Sequence, residues 1–512
     1  MVNPVVVGSE ALSPADVVAV ARHMAPARLD RGAQKGVEAT RAIVERHLGG
    51  DRPIYGLNTG IGALADARIP PQDLEQLQRN IIRSHAAGTE ELLPREVVRA
   101  MMLLRARTLA AGRSGVRLEL VERLLELLNR GIHPAVPSRG SVGASGDLAQ
   151  LAHIALTLIG EGRVLTEDGN TEPADEAYRR ADLAPLDLQA KEGIAMINGT
   201  EGMVALGLLA HHDASALLKT ADIVAAMAIE AALGTDRPFA EDLMALRPHP
   251  GQAAAASNLR RILDGSPIIA SHRDSVHAVQ DPYSMRCAPQ VHGAVRDTHA
   301  FAGAVLEREL GSVTDNPVVL PDGRVESAGN FHGEPLAYAL DFMAVGMAGL
   351  GNVAERRTFW LLGPAQSRGL PPFLSTHPGL GSGYMLAQYT QAALVSECKV
   401  LAQPAGLDSI PTSGTQEDHV SMGWLSGLKL RRVVELVTPI LAIEALCAAQ
   451  AQEMRRPLEP AAGTGAARSA LRQGIPFLEE DRNVSEDIVS AQAIVAEGGL
   501  IRAVEDIVGP LQ

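Results

Sequence analysis

Aromatic side chains are nearly missing from this sequence: Phe, Tyr and Trp together make up 3% of its 512 residues. Its core must therefore be built from Ala, Leu and Val, and a hydrophobic share of 46% supplies enough of them. Ala and Leu are strong helix formers, so the composition points to closely packed helices. Cysteine is scarce too. Cys287, Cys398 and Cys447 lie far apart, with neither a disulfide framework nor metal-ligand spacing. No metal site is expected, and such thiol usage fits a reducing cytoplasm. Positive charge is in deficit, 46 Lys and Arg against 60 Asp and Glu, for a net charge of -14. With no long basic cluster, this argues against a protein that tracks nucleic-acid phosphates. Long apolar runs are absent as well: the segment 342–353 is too short to span a bilayer and meets Glu355 and two arginines. The opening "MVNPVVVGSEALSPADVVAVARH" has neither a basic leader nor a long apolar block, so no signal peptide is expected. The expectation is a soluble cytoplasmic protein with no nucleic-acid or membrane partner.

What is present is helical periodicity interrupted by glycine-rich loops. Residues 4–7 can form a short strand, and Ser13 or Asp16 can start a first helix. After the loop "YGLNTGIGALADARI", Leu74, Leu77, Ile81 and His85 recur at steps of three and four on one helical face. Two further helices flank Gly112–Gly115, and a long Ala/Leu helix covers 201–234. "NPVVLPDGRVES" reads as two short strands joined by a turn at Pro321-Asp322-Gly323. Long helices are expected at 335–360, 381–403 and 418–456, the last with Pro439 inside it. The fold class is mainly α: a long-helix bundle core with an N-terminal loop-rich region and a few short strands. Residues 1–110 form the N-terminal region and 111–512 the central and C-terminal bundle, in one integrated unit. Long helices without clear polar faces imply burial between subunits.

One loop stands apart. In "SRGSVGASGDLAQLAHIAL", from Ser138 to Leu156, the smallest residues crowd together ahead of an apolar helix. It is not a hydrolase elbow, because Asp147 stands where G-x-S-x-G needs its last glycine. Nor is it a phosphate loop, since no Gly-Lys-Ser/Thr follows. Backbone chemistry remains. The Gly146 amide nitrogen, unhindered by a Cβ, can attack the Ala144 carbonyl if the loop bends tightly. Loss of water closes a five-membered ring, and loss of a second water from Ser145 leaves an exocyclic methylidene, an electrophile made from the chain itself.

The chain resembles the aromatic amino-acid ammonia-lyase and aminomutase family, and its histidine-specific branch in particular. The likeness runs through "YGLNTGIG", "LQRNIIRSHAAG", "GASGDLA", "EGIAMINGTEGM", "RPHPGQ", "DPYSMRCAPQV", "TDNPVV", "GNFHGEP" and "QEDHVSMG", in order along the chain. It implies that Ala144, Ser145 and Gly146 become 4-methylidene-imidazole-5-one (MIO), with no external cofactor. It implies that Tyr55 removes the substrate β-proton, although a phenol near pKa 10 needs help to ionise. Asn198, Gln280 and Tyr283 match residues that line the site. Arg286 matches the arginine whose forked guanidinium pairs with the substrate carboxylate. Phe331 matches an aromatic bordering the MIO. The family also implies a homotetramer with active sites shared between subunits.

Two residues bear on the substrate, a small amino acid. Read alone, His85 is a core histidine on an apolar face, and Glu417 is a first-turn carboxylate behind a Ser413/Gln416 capping box. Within the resemblance, both match residues that recognise imidazole, and tyrosine- or phenylalanine-specific relatives carry a neutral residue at the position of Glu417. The implied activity is elimination of ammonia from L-histidine to give trans-urocanate; the alternative is a lyase or 2,3-aminomutase acting on tyrosine or another aromatic amino acid. Ile61, Gln150, Gly414-Thr415 and His292 depart from the family's usual pattern, and none of them removes a catalytic group.

Overall fold

The computed structural model describes residues 3–48, 50, 52–275 and 277–512. Helix dominates, as an Ala- and Leu-rich chain with few β-branched clusters requires, with twenty α-helices and nine short strands among the described residues. The longest helices are Glu201–Ala231, Ala288–Leu310, Glu334–Leu362 and Gly423–Glu453. The strands pair only locally. Val5–Val7 lies parallel to Ala27–Leu29, and Val318–Val319 forms a hairpin with Val325–Glu326 around the expected turn. Ser13 does start the first helix, Pro14–Arg22: its hydroxyl accepts the Asp16 amide at 3.1 Å while the Asp16 carboxylate accepts the Ser13 amide at 3.0 Å.

Two expected helix starts are displaced, and the helix expected from 381 begins at Met385. The helix expected from 418 begins at Gly423. Residues ahead of it are held by loop bonds instead: the Val420 amide donates to Ser409 Oγ at 2.9 Å, and Met422 takes φ 53°. The Ser413/Gln416 capping box does not form either. Ser413–Thr415 is a single 3-10 turn, and the Ser413 hydroxyl accepts the Ala63 amide at 3.1 Å. Glu417 is therefore a loop carboxylate with no helix dipole to explain it.

By internal contacts the chain comprises two compact units, each discontinuous in sequence. The first holds Met1–Leu209, Gly303–Leu340 and Pro404–Leu428; the second holds Ala210–Ala302, Asp341–Gln403 and Lys429–Gln512. Both sides of residue 110 contribute to the first. Its core is aliphatic, with Leu206, Leu209, Leu306, Leu336 and Leu340 fully or almost fully buried.

In the second unit, helices Pro250–Leu263 and Ala288–Leu310 touch backbone to backbone. A Cβ at Gly293 would lie 2.4 Å from the Cα of Gln252, which accounts for the glycine of "RPHPGQ" and its partner Gly293. Beside this crossing, buried His292 donates Nδ1–H to Asp222 at 2.7 Å. Burial holds the imidazole below its usual pKa, so it is neutral there. The departure at His292 is thus a satisfied buried polar group. Helices Glu334–Leu362 and Gly423–Glu453 are long and apolar enough to cross a membrane, and their apolar stretches are mostly buried within the fold.

Candidate active site

Five segments of the first unit enclose a cavity of about 360 Å³, a size suited to a small ligand. Tyr55, the loop Ile61–Leu64, His85, Ser145, Asn198 and Glu417 all contribute to its walls. Residues far apart in sequence are brought together here by loops, while helices hold the loops from behind.

The loop 140–147 is tightly bent. Gly143, Ser145 and Gly146 take φ 78°, 51° and 86°, and the Gly146 amide donates to the Gly143 carbonyl at 3.2 Å. A positive φ costs a serine energy, so the surroundings must impose it. They do so through Gly199: its amide donates to the Ser145 carbonyl at 3.2 Å, and its carbonyl accepts the Asp147 amide at 2.7 Å. The two chains pass so closely that a Cβ on Gly146 would sit 1.9 Å from the Gly199 oxygen. Behind the loop, the Met422 amide reaches the Val142 carbonyl at 3.0 Å and the Trp424 indole reaches the Ser138 carbonyl at 2.8 Å.

Asn198, buried next to Gly199, donates its amide to the Asn316 carbonyl at 2.9 Å, while Arg105 holds its own carbonyl. Arg105 is tied in turn to Glu201 at 3.2 Å. Sequence reading used Asp147 only to exclude a hydrolase elbow and missed its structural part. Its carboxylate accepts the Gly202 and Met203 amides at 2.8 and 3.0 Å, at the N-terminus of helix Glu201–Ala231. Complete burial nevertheless pushes its pKa up to about 8, against the pull of those two bonds. An acid directly after the glycine-rich loop was the signal available in the sequence.

The Tyr55 hydroxyl accepts the Gly62 amide at 3.1 Å. That bond favours the phenolate, but burial, helped by the charge of Glu417, raises the pKa above that of an ordinary tyrosine. His85 is not a core residue. It is half-buried at the C-terminus of helix Leu74–His85, and Nδ1–H donates to the Ile81 carbonyl at 2.7 Å. With the Nδ1 proton held there, the neutral form of the ring offers Nε2 as an acceptor. One oxygen of Glu417 accepts the Thr412 hydroxyl at 2.7 Å. Ile61 and Gly414, two of the departures from the family pattern, line the same cavity.

The remaining candidates are not brought in. Phe331 is half-buried in the first unit and does not line the cavity. Gln280, Tyr283 and Arg286 belong to the second unit. Gln280 is exposed, and Tyr283 is 71% exposed with the Arg286 guanidinium 4.6 Å from its ring centre. Arg286 Nε donates to the Asp281 carbonyl at 2.9 Å. Among the described residues, no Lys or Arg lines the cavity.

Comparison with known proteins places this geometry in context. The family model for aromatic amino acid lyases matches residues 12–473. The chain is 50% identical over 511 residues to a histidine ammonia-lyase of Streptomyces coelicolor, covering 100% of both sequences. Among solved structures, histidine ammonia-lyase from Trypanosoma cruzi superposes with a TM-score of 0.90 at 40% identity, covering 98% of this chain and 95% of that one. Tyrosine aminomutase from Streptomyces globisporus superposes with 0.93 at 37% identity, covering 98% of each. Both activities thus share this backbone.

The raised pKa of Asp147 has a pH signature. Its contribution to stability is full below the unfolded carboxylate pKa and is lost as pH rises through about 8. Asp147→Asn keeps an acceptor for the two helix amides and removes the titration. Between about pH 5 and about pH 9 the Tm of the wild type should fall relative to that of the variant. A constant difference between the two melting curves would mean that Asp147 does not titrate in this range.

Proposed function

The chain belongs to the aromatic amino acid lyase family, and from that premise we propose that it eliminates ammonia from L-histidine to give trans-urocanate. The observation that carries the substrate is the presence of His85 and Glu417 on the walls of one cavity with Tyr55 and Ser145. His85 Nε2 and the Glu417 carboxylate are both acceptors, a pair suited to the two N–H groups of an imidazolium ring. A phenyl ring offers neither group a partner, and a buried polar group left unpaired costs about 1–3 kcal/mol.

The loop fits the MIO group. Its positive-φ turn, the Cβ-free approach of Gly146 to Gly199 and the place of Ser145 on the cavity wall support cyclisation of Ala144-Ser145-Gly146. Once formed, the group supplies an electrophilic carbon that turns the substrate amine into a good leaving group. The other residues bind and move protons. Tyr55, held by the Gly62 amide, takes the β-proton. Burial is the main cause of the raised Tyr55 pKa, and pairing of Glu417 with a cationic ring offsets the smaller contribution of that carboxylate. Asn198, locked from behind by Asn316 and Arg105, lines the site with a fixed side chain.

A cavity without a cation needs one for the substrate carboxylate. We assign that role to Arg286, supplied together with Gln280 and Tyr283 by a neighbouring subunit of a homotetramer. Phe331 also borders the group in the assembled site. The exposure of Gln280 and Tyr283 supports this assignment. The free thiols of Cys287, Cys398 and Cys447 suit a cytoplasmic location.

Separate incubation with L-histidine, L-tyrosine and L-phenylalanine, read by the ultraviolet absorbance of the acrylate product, tests the substrate. Histidine should be preferred over phenylalanine by on the order of 10⁴ in kcat/KM, as polar sites discriminate. Glu417→Gln should lower histidine turnover by about 10- to 100-fold. Preference for tyrosine, or a β-amino acid product, would overturn the histidine assignment and leave the family intact. Sharing of the site is tested by co-expressing Tyr55→Phe and Arg286→Ala chains, each inactive alone. Random pairing of subunits should restore about a quarter of the wild-type activity. No recovery in verified mixed tetramers would place Tyr55 and Arg286 in the same chain's site.

A further inference from the structure

Outside the cavity, His332, Glu334 and His419 bring two imidazoles and a carboxylate together from segments far apart in sequence, with their three facing ligand atoms all within 4.8 Å of one another. Glu334 Oε2 lies 3.9 Å from His332 Nδ1 and 3.7 Å from His419 Nε2. Both separations are too long for a hydrogen bond. They are close to the roughly 3.4 Å between neighbouring ligands around a tetrahedral ion with bonds of about 2.0–2.1 Å. A carboxylate serving one protonated histidine would close on that ring; this one stands nearly midway between two.

The surrounding bonds prepare the ligands. The His419 carbonyl can only accept, so His332 Nε2 carries the proton that donates to it at 3.2 Å. The neutral form of the ring then offers Nδ1 as the bare nitrogen, and the Glu334 amide stands at a long 3.4 Å from it. A second ring nitrogen bonded to a backbone carbonyl is the usual support of a metal-bound histidine. Glu334 is in turn hydrogen-bonded to Tyr338, one helical turn further on. The two rings lie parallel, 5.8 Å apart, so neither blocks the other's approach to a shared ion. Side-chain exposures of 33%, 24% and 66% leave room for water in the remaining coordination position.

We propose that His332, Glu334 and His419 form a binding site for one divalent transition-metal ion of the zinc type. Two nitrogens and one oxygen are a borderline ligand set that suits such ions and disfavours calcium or magnesium. The ion clips the segment carrying Phe331 to the segment carrying Glu417. It thereby restrains two walls of the assembled site from outside, and the site goes beyond the proposed lyase reaction, which needs no metal.

Chelator-treated full-length protein should be titrated with Co²⁺, a spectroscopic substitute for Zn²⁺, by calorimetry and visible absorption. One ion per chain with ligand-field bands is expected. His419→Ala and Glu334→Gln should each weaken binding by about tenfold or more, while His23→Ala, at an exposed histidine in the same unit, should leave it unchanged. His419 is exposed enough for its removal to spare the fold, which circular dichroism checks. Binding that is equal in the wild type, His419→Ala and Glu334→Gln, or weakened equally by His23→Ala, would overturn the site.

Discussion

The contact between the Gly146 backbone and the Gly199 backbone governs this structure's chemistry. With a Cβ at 146 placed 1.9 Å from the Gly199 oxygen, no other residue fits without moving the chain. The same contact imposes positive φ on Ser145, lays Asp147 against the N-terminus of helix Glu201–Ala231 and sets Asn198 at the cavity wall. A single close approach thus couples loop conformation, helix start and site geometry. The aliphatic helices serve mainly to make that approach rigid, since close-packed interiors resist local shifts.

Electrostatics gives the cavity a direction. It holds two acceptors, His85 and Glu417, and a tyrosine whose proton is held more firmly than usual by burial and by the neighbouring carboxylate. It has no cation of its own among the described residues. Such a site suits positive charge: on the proposed reading, an imidazolium beside Glu417 and a guanidinium, assigned to a neighbouring subunit, for the substrate carboxylate. On the proposed reading, such charges loosen the Tyr55 proton against the part of its hold that Glu417 supplies, while burial remains.

Much of this was legible in the sequence, and the failures have physical causes. Helices with three- and four-residue periodicity, the Ser13 cap and the Pro321-Asp322-Gly323 hairpin follow from local rules, and local rules hold where tertiary contacts agree with them. The small-residue loop announced itself because its composition serves no ordinary turn. His85 was misread by its own periodicity: position on a helical face says nothing of whether the helix end meets a core or a cavity. The Ser413/Gln416 box failed because Ser413 bonds a distant amide, Ala63, instead of its own turn. Asp147 was passed over because its partners, the Gly202 and Met203 amides, are unrelated to it by any sequence spacing. Gln280, Tyr283 and Arg286 were matched by motif alone; they belong to the second unit and are not among the residues that line the cavity.

The central claim is that this loop is shaped to convert itself. Intact-mass and peptide mass spectrometry of fully active protein tests it most directly. The chain should be lighter than its encoded mass by two waters, with the loss confined to the peptide containing Ala144, Ser145 and Gly146. Fully active protein carrying an unmodified Ser145 would contradict it.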